Sequence, residues 1–417
     1  MGEITTKNDS EKAVRFAAET IIENALNLHA TDVHIEPRDG LTMVRLRIEG
    51  ILKVANQLPA DISPKLVRYF KKLAGLNTRE KNFSQTGTIS HGGARIRISI
   101  SPVLSGEKIT LRLIRARTSL RKLDKVGLWG ENLLLVRQAL RQPRGIIFTV
   151  GDGRNTTNFA ILNELNTSEK NIVTVEKSVE KVLPGVNQTE INPKIGLNFP
   201  QSIKAALNQN PDVIMIDEIS DSQTAKLVVN AAMRGKLIIA SLPVSHASDV
   251  VPFMENLEIS PFFLSANTLA IIGQNLVRTV APAATTVNKL SKLESKIILN
   301  EFGITAEELN KLEKLAQKEG LGGKKLLTTK ESLNEITTLK DSAEPGFTGS
   351  TGIFEVISFI SHGAGDKIKS FMLTSPNSIQ ISNFMQKNNI VPIKVDGLVK
   401  ALRGQTVIEE VLRKTGL

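Results

Sequence analysis

The sequence predicts an α/β protein: a parallel sheet with helices on both faces, preceded by a small α+β domain and followed by a mostly helical region. Three observations carry this prediction. From about Leu133, apolar runs of strand length alternate with helical stretches, the runs falling at 145–150, 171–176, 212–217 and 236–242. Such alternation builds a parallel sheet. Between Thr31 and Arg115 the runs are short and alternate apolar with polar or basic residues, as in Thr42-Met-Val-Arg-Leu-Arg-Ile48; that is the period of strands with one apolar and one basic face. After about Ala281 helical patterning dominates.

The elements follow in order. Residues 13–28 read as an amphipathic helix, with Val14, Ala17, Ile21, Ile22, Ala25 and Leu28 on one stripe. A helix near 64–76 precedes the strands Ala94-Arg-Ile-Arg-Ile-Ser-Ile100 and Lys108-Ile-Thr-Leu-Arg-Leu-Ile114. Residues 116–130 read as a linker. Thr305 signals the start of a helix over 304–318. Breaks are expected at 320–323 and 342–352, and two more helices within 363–417. The predicted domains are therefore 1–118, 119–280 and 281–417.

With 417 residues the chain has room for two or three domains. Aromatic residues make up only 4%, which argues against a large base-stacking surface. The absence of cysteine excludes disulfides, thiolate zinc sites and cysteine nucleophiles. The net charge of +11 suits nucleic acid, an anionic membrane or an acidic partner. Because Lys and Arg are spread along the chain, a solvated basic surface is expected, with no specific nucleic acid. No apolar run approaches the roughly 20 residues of a membrane span, and residues 1–11 are polar, without a signal peptide. These features predict a cytoplasmic protein.

The stretch Gly145-Ile-Ile-Phe-Thr-Val-Gly-Asp-Gly-Arg-Asn-Thr-Thr157 has the strand–turn–helix setting of a phosphate-binding loop. Such a loop has Gly, four residues, Gly-Lys, then Ser or Thr. Laid on the helix that follows, the motif falls on Phe148, Thr149, Val150, Gly151, Asp152, Gly153, Arg154 and Asn155. Only Gly153 matches. Phe148 then stands at the first glycine, Arg154 at the lysine and Asn155 at the magnesium hydroxyl. The lysine is a compact charge that an arginine does not replace, and Asp152 sets a carboxylate where a polyanion would sit. Thr156 serves magnesium only if the loop shifts by one residue.

Several collinear segments extend the picture. They are Ala30-Thr-Asp-Val-His-Ile-Glu-Pro37, Arg45-Leu-Arg-Ile-Glu-Gly50, Gly106-Glu-Lys-Ile-Thr-Leu-Arg112, Pro211-Asp-Val-Ile-Met-Ile-Asp-Glu-Ile219, Gly346-Phe-Thr-Gly-Ser-Thr-Gly-Ile-Phe-Glu-Val356 and Asp396-Gly-Leu-Val-Lys-Ala-Leu402. From about residue 13 onward the chain resembles the hexameric ATPases of type II secretion and type IV pilus assembly. The resemblance implies a RecA-like P-loop domain preceded by a PAS-like domain. It implies ATP and Mg²⁺ as ligands, a six-membered ring of family members, and an inner-membrane platform protein as partner. The chain would then sit in the cytoplasm, peripheral to the inner membrane. The implied nucleotide site spans Gly151, Asp152, Gly153, Arg154, Asn155, Thr156 and Thr157. Glu176, Glu180 and Glu218 are the implied catalytic acids, and Arg45, Arg47, Arg97 and Arg112 the implied inter-subunit arginines.

Departures from the family pattern gather where the chemistry is. The acidic box reads Glu176-Lys-Ser-Val-Glu180, with Lys177 in place of an aspartate. The family's box histidine is Pro243, and His246 falls where the family has aspartate. The first zinc cysteine pair is replaced by Ala281 and Ala284, so no zinc is expected. Two readings compete: a pseudo-enzyme ring subunit with weak or no ATP hydrolysis, and an active motor with an aberrant loop.

Overall fold

A computed structural model describes the chain except residues 1, 49, 116–120, 180, 193–194, 282–284, 290, 320, 322–334, 340–345, 361–363, 389 and 417. Glu180 and Ala284 therefore lie outside the described residues. The chain divides into two compact units, Met1–Thr118 and Ser119–Leu417.

The first unit opens with helix α1 (Gly2–Asn27), then strands β1 (Asp32–Arg38), β2 (Leu41–Ile48) and β3 (Ile51–Pro59), helix α2 (Ile62–Leu73), and strands β4 (Gln85–His91), β5 (Ala94–Val103) and β6 (Gly106–Arg115). The six strands form one antiparallel sheet in the order β3-β2-β1-β6-β5-β4. The period of two does the sorting. In β5 the residues Ala94, Ile96, Ile98 and Ile100 are buried while the arginines between them are not. Ile21, Ile22 and Ala25 of α1, with Leu66 and Phe70 of α2, pack on that apolar face.

The second unit begins with a short 3₁₀ turn at Asp124–Val126. There follow α3 (Gly130–Leu140), β7 (Gly145–Gly151), α4 (Arg154–Leu165), β8 (Ile172–Glu176), β9 (Val186–Glu190), α5 (Phe199–Asn208), β10 (Val213–Ile216), α6 (Ser222–Met233), β11 (Leu237–Ser241), α7 (Val250–Asn256), α8 (Pro261–Asn267) and β12 (Thr268–Val280). Beyond these lie β13 (Thr285–Lys289), α9 (Lys292–Phe302), α10 (Ala306–Lys318), β14 (Glu335–Leu339), β15 (Phe347–Ser358), α11 (Ala364–Met372), α12 (Ser378–Lys387), α13 (Ile393–Leu402) and α14 (Ile408–Thr415). The main sheet has the order β15-β12-β7-β11-β10-β8-β9. Every adjacent pair is parallel except β12 with β15. The four strands expected from apolar runs are its centre, and their side chains are buried on both faces, as parallel strands between helical layers must be.

Two expectations need correction. The sheet is mixed rather than purely parallel. The region after Ala281 is not simply helical: β15 runs the length of β12 and closes the sheet. Its first residues coincide with the expected break, because Gly349 and Gly352 look like turn residues. In the fold Gly352 is a strand residue in a crowded place, where a Cβ would meet the Phe354 ring at 2.5 Å and the Val126 carbonyl oxygen at 2.8 Å.

Helix α10 starts at the predicted cap. Thr305 accepts from the Glu308 N–H, and Glu308 accepts in return from the Thr305 N–H. Its Leu309 joins Leu299, Phe302, Leu398 and Val411 in a separate apolar cluster. That cluster is fastened by a buried polar network. Lys400 Nζ donates to Asp396 Oδ2 at 2.6 Å and to the carbonyls of Gly127 and Gly352, each at 2.7 Å. Asp396 also accepts from the Phe354 N–H and from Trp129 Nε1. Burial lowers the Lys400 pKa, against the pull of Asp396.

Candidate functional site

The site lies where β7 ends in the middle of the main sheet. Seven apolar or small residues carry β7 to Gly151, and α4 begins at Arg154. Only Asp152 and Gly153 connect them. Phe148, on which the motif alignment sets the loop's first glycine, lies within β7, in the apolar run read as a strand. It pairs with Ala240 of β11 and Ile271 of β12 and is wholly buried.

Both glycines of the turn are required by local packing. Gly151 has φ of +86° and Gly153 has φ of +80°, a region that L side chains rarely adopt. A Cβ on Gly151 would fall 1.9 Å from the Gln274 carbonyl oxygen, and one on Gly153 would fall 2.7 Å from Gln274 Nε2. Strand β12 thus presses directly on the turn. Gln274 also accepts from the buried Thr157 hydroxyl, which faces the strand and not the cleft.

The remaining loop side chains meet protein partners. Arg154 Nη2 lies 3.5 Å from Glu218 Oε2. Asp152 Oδ2 accepts from Lys414 Nζ of α14 at 2.9 Å. Beneath the turn, Thr149, Asn158 and Ser241 close a buried ring of hydrogen bonds at 2.8–3.0 Å. This ring pins the first turn of α4 to β7 and β11. Asn155 and Thr156 are partly exposed on α4.

The acidic residues stand at the ends of β8 and β10. Glu176 is buried and accepts from the Thr174 hydroxyl and from Gln188 Nε2. Glu218 follows β10 and is partly exposed. Between them, Asp217 accepts the Lys177 N–H at 3.1 Å. Burial raises the Asp217 pKa, against that hydrogen bond and the charge of Arg154. Among the described residues there is no group of three or more His, Asp or Glu able to hold a metal ion.

A cleft of about 440 Å³ opens over the turn. Gly151, Asp152 and Arg154 form one wall, the β11–α7 loop with Pro243 and His246 a second, and Lys414 to Gly416 a third. His246 caps the turn at Ala247–Asp249. Lys414, Asn275 and Gln274 were not singled out by sequence, since nothing local marks them. Thr149 was legible as a polar residue inside an apolar strand.

In the first unit, Arg45, Arg47, Arg97 and Arg112 share the sheet face opposite the helices. Arg97 faces Arg112 across β5 and β6, and Asp32 lies opposite both Arg112 and Arg47. Arg112 Nε donates to Asp32 at 3.1 Å, and Arg47 Nε lies 3.7 Å from the same carboxylate. Arg45 donates to Glu36 at 2.7 Å. Burial pushes Glu36 up, but Arg45 and Lys108 outweigh it and hold its pKa near about 2.

The fold is similar to that of solved secretion and pilus ATPases. The ATPase DotB of Legionella pneumophila superposes with a TM-score of 0.62 at 18% identity, covering 94% of this chain and 93% of that one. The pilus retraction motor PilT with bound ADP gives 0.59 at 17% identity, covering 95% and 96%. The family model for type II/IV secretion system proteins matches residues 6–413, and the chain belongs to that family. It is 30% identical over 414 residues to the type IV pilus assembly ATPase PilB of Thermus thermophilus, covering 97% of this chain but 43% of that protein. It is 29% identical to the type II secretion system protein E of Aeromonas hydrophila, covering 98% of this chain and 76% of that one. Among the described residues no helix is long and apolar enough to cross a membrane.

Proposed function

We propose that this chain is a ring subunit of a type IV pilus assembly or type II secretion machine, with weak or no ATP hydrolysis of its own. The observation that carries this is the turn between β7 and α4. A phosphate-binding loop wraps successive backbone N–H groups around a phosphate and adds a lysine and a hydroxyl; here Gln274 presses on the turn, and Arg154 and Asn155 stand where the lysine and hydroxyl would be. The residues present do not fit a magnesium–triphosphate group. Arg154 is directed at Glu218 and Asp152 meets the place a polyanion would take. In this reading the chain sits in the cytoplasm against an inner-membrane platform protein. Its rings form with itself or an intact relative, through the face that carries Arg45, Arg47, Arg97 and Arg112.

An active motor is the second reading. It is favoured by Glu176 and Glu218, both kept at the ends of adjacent parallel strands. Steady-state ATP turnover, measured with the platform protein present, separates the two. Turnover at background, unchanged by Glu218→Gln, is expected. Robust magnesium-dependent turnover that Glu218→Gln abolishes would establish the motor instead.

A further inference from the structure

We infer that the tip of α14 is a latch that limits access to the β7–α4 turn, released when a polyanion competes with Asp152 for Lys414. The inference concerns access to the cleft, whereas the proposed function concerns hydrolysis, and it rests on that reading only in taking the turn as the place phosphate would approach.

The two ends of α14 are held very differently. Its base is anchored in the core by Ile408 and Val411, both buried. It is tied to β12 by Arg278, whose Nη2 donates to Glu410 at 2.8 Å, and Arg413 donates to both oxygens of the same carboxylate. Among the described residues, two hydrogen bonds tie its tip to other elements. Asn275 Nδ2 donates to the Lys414 carbonyl at 3.2 Å, and Lys414 Nζ donates to Asp152. The Lys414–Asp152 pair is solvent-accessible, with Asp152 62% exposed. Exposed pairs are weak and screened by salt. A firm base with a weak tip is the arrangement of a hinged flap.

The tip also opposes an incoming anion. Lys414, Thr415 and Gly416 fill one side of the cleft, and they bring the carbonyl end of a helix, which carries partial negative charge. Of the lining side chains, Arg154 faces Glu218, which stands outside the lining, and Lys414 faces Asp152, so each of these two cations already has a carboxylate partner. Strand β12 sets both sides of the latch: Gln274 presses on the turn while the neighbouring Asn275 grips the tip. Among the described residues, an anion that draws Lys414 away leaves the Asn275 hydrogen bond as the tip's tie to β12.

The test uses the full chain and inorganic pyrophosphate, with sodium chloride at matched ionic strength as the control. Hydrogen–deuterium exchange is followed at the amides of residues 411–416. Asp152→Asn should speed exchange there by about fivefold, the factor set by an exposed pair worth ~1 kcal/mol. The exchanged pair Asp152→Lys with Lys414→Asp should restore protection. Pyrophosphate should speed exchange of the wild-type tip more than the chloride control, and should bind Asp152→Asn more tightly than wild type. Equal exchange in wild type and Asp152→Asn, or a pyrophosphate effect no larger than that of chloride, would overturn the latch. ATP turnover is measured separately on the same proteins. A latch that opens without turnover leaves the proposed function standing, and turnover without any change at the tip refutes only the proposed function.

Discussion

Replacing Phe148 with glycine separates a core residue from a loop residue. If Phe148 stood at the first glycine of a phosphate-binding loop, Phe148→Gly would open the loop and favour nucleotide. In the fold Phe148 is wholly buried in the central strand β7, between β11 and β12, in the main apolar cluster with Ile146, Val150 and Ile214. Truncating a buried Phe to Ala costs about 3–5 kcal/mol. Going on to Gly within a strand adds about 0.5–1 kcal/mol of backbone entropy. The sum, about 3.5–6 kcal/mol, is a large part of the whole net stability of an ordinary domain, about 5–15 kcal/mol. Chemical denaturation followed by far-ultraviolet circular dichroism measures it, with Phe148→Leu as the volume-sparing control. A large loss for glycine, a much smaller one for leucine and no gain in ATP affinity are expected. A glycine variant within about 1 kcal/mol of wild type, or one that binds ATP more tightly, would refute the assignment of Phe148 to the core.

Three other outcomes follow from the same structure. Arg154→Lys with Asn155→Thr restores the motif residues but leaves Gln274 pressing on the turn, so triphosphate affinity should rise slightly while turnover stays far below a motor-like rate of about one per second; a coupled phosphate-release assay reaching that rate would show that the pressed turn is no barrier. Asp396→Ala leaves the buried Lys400 without its carboxylate and should cost about 3–5 kcal/mol, with Lys400→Met added in the same chain recovering part of the loss in a thermal melt. Burial pushes Glu410 up, but hydrogen bonds from Arg413 and Arg278 outweigh it and hold its pKa near about 2, below the ordinary 4.5. A depressed carboxylate stabilises the fold above its unfolded pKa, and the gain is lost as pH falls from about 4.5 towards 2; the stability gap between wild type and Glu410→Gln should therefore be full at neutral pH and close in that window, and a gap independent of pH would contradict the assignment.

The sequence by itself determined what depends on neighbours in the chain. Period-two alternation placed Ile96, Ile98 and Ile100 on one face of β5, because successive strand side chains point to opposite sides. Apolar runs located β7, β8, β10 and β11, because parallel strands are covered on both faces. Thr305 and Glu308 started α10 because a capping box is completed within one turn. Glycines at 349 and 352 misled the same reasoning, since glycine serves close packing in a strand as readily as it serves a turn. Tertiary structure alone decided the rest. Which strands flank Phe148 was settled by its pairing with Ala240 and Ile271. Gly153 matched a phosphate loop on paper, yet it is Gln274 of β12 that excludes a side chain at both Gly151 and Gly153. Lys414 reaches Asp152 from 262 positions away. No local pattern encodes such a contact, because it exists only once β12 has carried α14 to the end of β7.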